Sequence, residues 1–412
     1  MQMPVEGRPW DEVRADMLTR GAGDVAWRDG KTAVYVFNAG EDVHQLQHEA
    51  YGLFMAENGL GPLAFPSLAQ MEKDVISMAL GLLSGPPGST GAMTSGGTDS
   101  ITMAIKTARD YARANGKPKD RANIVIPRSG HLAFHKAALL MDIEIRSVAL
   151  KTDGSYEADP DAMAAAIDAA TIMMVGSAPN FPHGIIDPIA ELGKVADNKG
   201  VWLHVDACVG GYFAPFARMN GVPVPDFDFA VPAVRSMSAD LHKYGYCAKG
   251  ASTILFRSAD LYKHMPFTLS QWSGAPMKTP TLAGTRPGGA ISAAWAVMNV
   301  LGVSGYREKQ GLVCQTRERI EAGVKALGFE VLGKPLLGLL AFRHPGVDTL
   351  ALYGAMRQRG WFTSFTVEPP SLHLMLSPKH AEVADGYLAD LAASLEAVKA
   401  GDTAPKVEAR YS

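Results

Sequence analysis

A histidine and a lysine stand side by side within the segment 238–252, which reads SADLHKYGYCAKGAS. A lysine amine can form an imine with an aldehyde, and removal from water lowers its pKa and makes it nucleophilic. Most lysines are solvated surface charges, but aromatic residues and glycines flank Lys243 and disfavour that alternative. We therefore expect Lys243 to have a lowered pKa and to attach a ligand covalently, and we expect His242 to meet an anion such as phosphate.

A glycine-rich segment, TSGGTDS at 94–100, overlaps the start of a stretch with helical character at 99–115. Free backbone N–H groups and the helix dipole at such a point favour an anion, and glycines permit the turn that it needs. The alternative is an ordinary helix N-cap supplied by Thr98 or Asp99. Glycine-rich turns are common, so this segment alone does not decide between a phosphate cradle and a cap.

Two further polar residues occupy positions where α/β proteins bind ligands. Asp206 follows the apolar run 201–205, and the carboxyl ends of parallel strands line ligand sites. A carboxylate there can pair with a protonated ring nitrogen, whereas the alternative is a helix-capping aspartate beside a satisfied His204. His131 opens a helical stretch after RSG at 128–130 and can stack on an aromatic cofactor, although a single histidine is more often structural.

These residues need a scaffold that brings strand ends together. From about residue 85 onward, short apolar runs alternate with helical stretches, which predicts a mainly parallel sheet covered on both faces. The predicted strands are 123–127, 144–150, 172–176, 201–205 and 252–256. The predicted helices are 99–115, 132–141, 159–169 and 188–199. The segment 84–98, rich in glycine, proline and serine, is predicted to be a loop.

A second unit follows a Gly/Pro-rich break at 281–289. A long helix at about 305–327 precedes further strands and helices, an order typical of a small α+β domain. Its predicted strands are 337–342 and 372–376, and its predicted helices are 349–359 and 379–399. We therefore divide the chain into an N-terminal helical segment (1–60), a large α/β domain (61–290), a small C-terminal α+β domain (291–400) and a poorly ordered tail (401–412).

The composition excludes several classes of protein. The chain has 412 residues, 47% hydrophobic and 20% charged, as expected for a globular protein with two or more packed units. The net charge of −3 gives no electrostatic reason to expect nucleic acid. Residues 1–30 lack the apolar core of a signal peptide. No apolar stretch reaches the roughly 18 residues of a membrane span, and 289–303 is expected to be a buried helix.

Three cysteines, Cys208, Cys247 and Cys314, show neither a paired framework nor a metal-binding spacing. Such cysteine usage is typical of a reducing compartment, so we expect a cytoplasmic protein without structural disulfides.

The order of these features is more specific than any one of them. It resembles the fold-type-I enzymes that use pyridoxal 5′-phosphate (PLP), in particular the group II decarboxylase superfamily and, within it, the sphingosine-1-phosphate lyases. The segments that carry the resemblance are TSGGTDS (94–100), HLAFHKAA (131–138), FPHGIIDPI (181–189), HVDACVGGY (204–212), SADLHKYGYCAKGAS (238–252) and AGTRPGG (283–289). The resemblance is dense over 94–289 and weaker in the C-terminal part.

The resemblance implies a role for each of these residues. Lys243 would carry PLP as a Schiff base, Asp206 would pair with the pyridine nitrogen, and His131 would stack on the ring. Three residues would bind the cofactor's phosphate group: Gly97, Thr98 and His242. Thr285 would reach the phosphate of the neighbouring subunit's cofactor, which implies a homodimer with shared active sites. The arginine and two consecutive glycines of GTRPGG have no evident structural need, which favours this interpretation.

The resemblance also implies how a small-molecule amine substrate would be held. Four residues would contact it: Tyr35, Asn58, Lys249 and Arg286. Lys249 would serve both the substrate's phosphate and proton transfer. Gly61 stands where the family has a histidine associated with the phosphorylated head group.

Two reactions are compatible with this site, because the cofactor weakens every bond at the substrate Cα and the substrate contacts select one. Retro-aldol cleavage of a β-hydroxy amine would yield an aldehyde and an amine, and it needs a base for the hydroxyl proton. The candidate bases are Tyr35, Lys249 and Tyr246. Loss of CO₂ from an α-amino acid is the alternative.

Overall fold

A computed structural model describes residues 2–117 and 121–401 of the chain. Its largest sheet contains β1 (Thr90–Thr94), β2 (Asn123–Pro127), β3 (Glu144–Val148), β4 (Thr171–Ser177), β5 (Trp202–Asp206), β6 (Val234–Ala239) and β7 (Ser252–Phe256). The strand order is β1-β7-β6-β5-β4-β2-β3, and β7 alone runs against its neighbours. The parallel pairs therefore bring the carboxyl ends of β2 to β6 to one edge.

Helices precede and follow these strands along the chain. They are α1 (Trp10–Gly21), α2 (Glu41–Leu53), α3 (Pro66–Leu82), α4 (Gly97–Ala114), α5 (Ala133–Leu140), α6 (Pro160–Ala165), α7 (Ile189–Lys199), α8 (Ala214–Met219) and α9 (Ala259–Tyr262). Side chains alternate between two hydrophobic cores along the central strands. In β2, Val125 belongs to one core, whereas Ile124 and Ile126 belong to the other. Both faces of the sheet are therefore buried, as the apolar runs predict.

The small domain contains a four-stranded antiparallel sheet of order β10-β11-β13-β12. Its strands are β10 (Glu330–Val331), β11 (Leu339–Arg343), β12 (Ser364–Val367) and β13 (Pro370–Met375), and its helices are α11 (Thr349–Gln358) and α12 (Ala384–Lys399). A two-stranded hairpin, β8 (Phe267–Leu269) and β9 (Met277–Thr279), precedes this domain. The predicted fold class, a mainly parallel large sheet with a small α+β domain, is confirmed. The predicted tail lies outside the described residues from 402 onward.

Two strands of the large sheet, β1 and β6, are not predicted by the apolar runs in the sequence. The segment 84–98 contains β1, so the prediction of a loop there is wrong. Gly91 lies within β1, and a Cβ at this position would collide with the carbonyl oxygen of Ile254 on the neighbouring strand. Strand β6 contains Ser236 and Ser238, whose hydroxyls form hydrogen bonds with the buried His204, so the strand has no continuous apolar run. The apolar pattern therefore misses both strands, because Gly91 and the two serines are required by contacts with neighbouring strands and not by burial of apolar side chains.

The longest helix, α10 (Gly288–Ala326), joins the two domains. Gly302 has non-helical backbone angles (φ 52°, ψ −172°) and divides it into two segments. The domain boundary placed at 290 falls within its first turn. By length and composition α10 could cross a membrane, but half of its most apolar window is buried inside the protein, where the helix contacts α2, α3 and α8. These contacts are typical of a core helix.

The loop 283–289 is shaped by packing, which contradicts the expectation that its arginine and glycines serve no structural need. The buried Arg286 guanidinium binds the Glu72 carboxylate and donates 3.1 Å hydrogen bonds to the carbonyls of Gly59 and Met93. A Cβ on Gly288 would lie 2.6 Å from two carbonyl oxygens, and a Cβ on Gly289 would lie 2.6 Å from an aromatic ring of α2. These residues anchor the loop to α2 and α3.

Candidate active site

A cavity of about 480 Å³ lies where β4, β5 and β6 end, facing the amino end of α4. Seven of the predicted site residues line it: Tyr35, Gly97, Thr98, His131, Asp206, His242 and Lys243. The strand order explains this convergence, because β6, β5 and β4 are neighbours and their carboxyl ends meet at one edge.

Lys243 forms an ion pair with a carboxylate that the sequence analysis did not single out. Its Nζ lies 3.0 Å from Oδ2 of Asp240, which is 2% exposed, while the lysine is 22% exposed towards the cavity. Burial alone would lower the pKa of Lys243, but the attraction of Asp240, reinforced by Cys208 and Asp206, raises it well above its usual value. The expectation of a lowered pKa is therefore wrong for the free side chain, which is a protonated ammonium.

The ion pair with Lys243 also changes the pKa of Asp240. Burial opposes its ionisation, but Lys243 and then His242 lower its pKa below the usual value. Gly97 makes room for it, because a Cβ on that glycine would lie 2.8 Å from Oδ2. The sequence offers a signal for this contact, since Asp240 and Lys243 stand at an i, i+3 spacing that places two side chains on one side of a turn.

Asp206 stands at the end of β5 and is 7% exposed. Its Oδ1 accepts hydrogen bonds from the backbone N–H of Cys208, at 3.1 Å, and from the Ser238 hydroxyl, at 3.3 Å. The neighbouring His204 bonds to Ser236 through Nδ1, at 2.8 Å, and burial lowers its pKa to about 4. The carboxylate thus holds the turn after β5 and also lines the cavity, and no helix begins at it, so it is not the helix cap of the alternative interpretation.

The opposite end of the cavity is formed by the start of α4. The helix begins at Gly97 after the N-cap Gly96, which makes no side-chain capping bond, so Thr98 and Asp99 lie inside the helix instead of capping it. Asp99 accepts hydrogen bonds from the backbone and hydroxyl of Ser95, each at 3.0 Å. The first turn of α4 therefore lines the cavity, and no side chain caps it at Gly96.

Two histidines face this space. Burial lowers the pKa of His242 to about 4, and its Nδ1 is buried without a hydrogen-bond partner in the described part of the chain. His131 accepts a hydrogen bond from the backbone N–H of Ala133, at 3.2 Å, and meets the Phe181 ring edge-on at 6.4 Å. Burial also lowers the pKa of His131, so both imidazoles are neutral at neutral pH.

Tyr35 and Lys249 meet at the rim. Tyr35 has a left-handed backbone (φ 63°), uncommon for a residue with a side chain, and 43% of it is exposed. Lys249 Nζ donates hydrogen bonds to the carbonyl of Tyr35, at 2.8 Å, and to that of His242, at 3.2 Å. Desolvation by these neighbours and repulsion by Lys243 lower the pKa of Lys249 to about 8. This lysine braces two loops that line the cavity without lining it itself.

The remaining predicted residues lie elsewhere in the chain. Asn58 and Arg286 line a separate cavity of about 760 Å³, and the exposed Thr285 belongs to neither cavity. Gly61 stands beside Asn58 in the same surface loop. Tyr246 is fully buried and donates a 2.9 Å hydrogen bond to Gln310, so this structure does not support it as the base at the substrate.

The cavity suits PLP by the chemistry of its donors. At one end, the start of α4 and the His242 side chain, which both line the cavity, suit a phosphate group. Asp206 at the end of β5 suits a protonated ring nitrogen, and the Lys243 amine suits an aldehyde. These groups line one cavity, as a ligand with a phosphate, an aldehyde and a basic ring requires.

Comparison with known proteins agrees with this geometry. The pyridoxal-dependent decarboxylase conserved domain matches residues 2–345. The sphingosine-1-phosphate lyase of Oryza sativa is 40% identical over 399 residues, which cover 95% of this chain and 73% of the relative. A probable L-tyrosine/L-aspartate decarboxylase of Methanothermobacter thermautotrophicus is 32% identical over 335 residues, which cover 81% of this chain and 90% of the relative.

Among solved structures, the sphingosine-1-phosphate lyase of Burkholderia pseudomallei superimposes with a TM-score of 0.93 at 34% identity. The match covers 97% of this chain and 94% of that one. The fold is therefore that of the fold-type-I PLP enzymes, and the cofactor is PLP. The chain belongs to the pyridoxal-dependent decarboxylase family and, within it, groups with the sphingosine-1-phosphate lyases as a PLP-dependent lyase.

Proposed function

We propose that the enzyme cleaves the Cα–Cβ bond of a phosphorylated β-hydroxy amine of the long-chain-base type, giving an aldehyde and a phosphorylated amine. The convergence of Lys243, Asp206, His131 and the start of α4 on one cavity carries the proposal, in a chain that is 40% identical to a plant sphingosine-1-phosphate lyase. In the part of the chain that the structure describes, no arginine lines this cavity to receive an α-carboxylate.

Each residue at the cavity has a proposed task. Lys243 would hold the cofactor covalently through Nζ, and Asp206 would accept a hydrogen bond from its ring nitrogen. Gly97, Thr98 and His242 would bind its phosphate group, and His131 would contact its ring. When bound, PLP withdraws electrons from the bonds at the substrate Cα. Asp240 holds the proton of Lys243 while that amine is free, because the ion pair stabilises the ammonium.

The substrate hydroxyl must lose its proton as the carbon–carbon bond breaks, and Cα must gain one. Burial raises the pKa of Tyr35, so its phenol stays protonated at neutral pH and is a poor base alone. Lys249 has a pKa of about 8, closer to neutral pH than the usual lysine value, and its Nζ donates a hydrogen bond to the Tyr35 carbonyl. We propose that Tyr35 hydrogen-bonds the hydroxyl, that the hydroxyl proton passes to the free Lys243 amine beside Asp240, and that Lys243 returns this proton to Cα. Lys249 binds the substrate's phosphate as a cation.

Product analysis tests the reaction. The holoenzyme is incubated with a phosphorylated long-chain β-hydroxy amine and, separately, with a panel of α-amino acids, and aldehyde and CO₂ are measured by mass spectrometry. The proposal expects aldehyde and phosphorylated amine in equal amounts and no CO₂. Release of CO₂ from amino acids with no aldehyde from the amine would establish the decarboxylase alternative, which the archaeal relative favours.

The pH dependence of turnover should reveal the charge state in which Lys249 acts. The ammonium dominates below its pKa of about 8 and is lost above it. We therefore expect kcat/KM for a phosphorylated substrate to fall as pH rises through about 8, whereas a lysine acting as base would make it rise. Lys249→Met should remove this limb and cost roughly tenfold to a hundredfold at pH 7.

The matched control is Lys249→Arg, which keeps the positive charge to high pH and should shift the falling limb beyond pH 9. An unchanged profile in both variants would show that another group titrates. Rates with an unphosphorylated amine should lack the lysine-dependent limb, because no phosphate is present to meet the ammonium.

We also propose that the enzyme works as a homodimer in the cytoplasm. Thr285 is exposed, and the neighbouring Arg286 anchors the loop to Glu72, which leaves the Thr285 side chain at the surface and available to a neighbouring subunit's site. The three cysteines are buried and unpaired, which suits a reducing compartment.

Subunit mixing tests the shared site. Thr285→Asp places a carboxylate where a cofactor phosphate of the neighbouring subunit is proposed to lie, so this variant and Lys243→Ala should each be inactive. In a heterodimer of the two, one site has both residues intact, so a random mixture should recover about a quarter of wild-type activity. Co-expression with two affinity tags, followed by assay and light scattering, measures this. A fully active Thr285→Asp protein, or an active monomer, would contradict the shared site.

A further inference from the structure

A second cavity, of about 530 Å³, adjoins the Lys243 cavity on the side of the small domain. Three residues line both spaces: His131, Leu132 and Phe181. The remaining walls come from the segments 128–130 and 149–151, which follow β2 and β3, from Tyr156 and 182–183, and from 364–369, which comprises β12 and the turn after it. The second cavity therefore adjoins the catalytic one at these three residues and is bounded by both domains.

Its lining is largely apolar. The side chains concerned are Leu132, Ala149, Leu150, Phe181, Phe365 and Val367. Leu132 is 50% exposed and Val367 is 71% exposed. Large apolar side chains that stay exposed around one concavity mark a place where an apolar ligand is taken up.

The charged groups of this lining are already neutralised. Arg128 pairs with Glu368 at 3.1 Å across the two domains, and Lys151 pairs with Glu157 at 2.6 Å. His183 bonds to the backbone carbonyl of Glu368 at 3.2 Å, and burial lowers its pKa, so it is neutral. Within the described lining, each Arg, Lys or Glu thus has a partner of opposite charge, which disfavours a phosphate or carboxylate as the occupant.

We propose that this second cavity holds the apolar tail of the substrate whose reacting end lies at Lys243, and that its depth selects tail length. The inference rests on the proposed function, since it needs a substrate that carries a long tail. A volume of about 530 Å³ lies within the range of roughly 300–1,000 Å³ found for small-molecule sites.

Filling the cavity tests the proposal. Ala149 is exposed and lines the cavity, so Ala149→Trp fills the space without disturbing a core. The matched control is Ala114→Trp, since Ala114 is also exposed, at the end of α4, and lies outside the lining. Calorimetric binding of two saturated primary amines, one long and one short, is measured for holoenzyme and both variants. The same comparison is made for kcat/KM with long and short homologues of the phosphorylated β-hydroxy amine.

The wild type should bind the long amine more tightly, and Ala149→Trp should lose at least about tenfold in affinity and kcat/KM for long homologues only. The reason is that each methylene excluded from an apolar site costs roughly fourfold. Val367→Asp should act in the same direction, and Ala114→Trp should behave as wild type. Equal binding of both amines by the wild type, or an unchanged length preference in Ala149→Trp, would overturn the proposal. Failure of the proposed function shows separately, as absence of aldehyde from both homologues, while the amine-binding result still decides the tail site.

Discussion

Lys243→Ala should lower turnover by about 10³-fold or more, because it removes the amine that holds the cofactor and returns protons at the reacting carbon. Reduction of the wild-type holoenzyme with borohydride should fix the cofactor covalently, and peptide mapping should place it on Lys243. The yellow colour of the holoenzyme, read as visible absorbance, should be altered or lost in the variant. An adduct on Lys249, or a fully active Lys243→Ala protein, would refute the assignment.

Compared as apoproteins, in which the wild-type Lys243 is a free ammonium, the same variant should lose stability for a reason unrelated to catalysis. Asp240 would keep its buried carboxylate without the ammonium that lies 3.0 Å away, and breaking such a pair costs about 3 kcal/mol. Adding Asp240→Asn should recover much of the lost thermal stability without recovering activity. Lys243→Arg, which keeps the charge, should stay close to wild-type stability and remain inactive. This contrast separates a folding defect from the loss of a reactive amine.

Much of the site follows from the sequence because strand ends in a parallel sheet converge. The apolar runs locate β2 to β5 and β7, and Asp206 stands at the end of β5, whereas Lys243 follows β6, which the runs do not locate. Since β6, β5 and β4 are neighbours, residues far apart in the chain meet at one cavity. The periodicity of the chain therefore predicts both the fold and the edge where chemistry takes place.

Other features of the site and the fold depend on contacts between residues far apart in the chain, which the local sequence pattern cannot predict. The sign of the pKa shift of Lys243 is set by the distance to Asp240, and desolvation alone gives the wrong direction. The glycines at 288 and 289 have a packing role that shows only when α2 lies against them. Asn58 and Arg286 are brought together by the Gly59 backbone N–H, which donates a 2.9 Å hydrogen bond to the Arg286 carbonyl. Both residues line a cavity separate from that of Lys243.

Asp206→Asn should leave the fold unchanged and lower turnover by roughly tenfold to a hundredfold or more. The amide oxygen can still accept hydrogen bonds from the Cys208 N–H and the Ser238 hydroxyl, so the local turn persists. A neutral amide cannot stabilise a protonated ring nitrogen, and a charge-assisted hydrogen bond is worth roughly 1.5–3 kcal/mol. Steady-state kinetics, thermal unfolding and cofactor affinity measured on the same preparation test this.

The control is Ser238→Ala, which removes a hydrogen bond to the same carboxylate oxygen and keeps the charge. If the charge of Asp206 is what matters, this variant should lose little of its kcat, whereas Asp206→Asn should lose most of it. Because the reduced electron withdrawal acts on the chemical step, kcat should fall in Asp206→Asn with little change in KM. Equal losses in both variants, with lower thermal stability in each, would instead show that Asp206 acts only by holding the turn after β5.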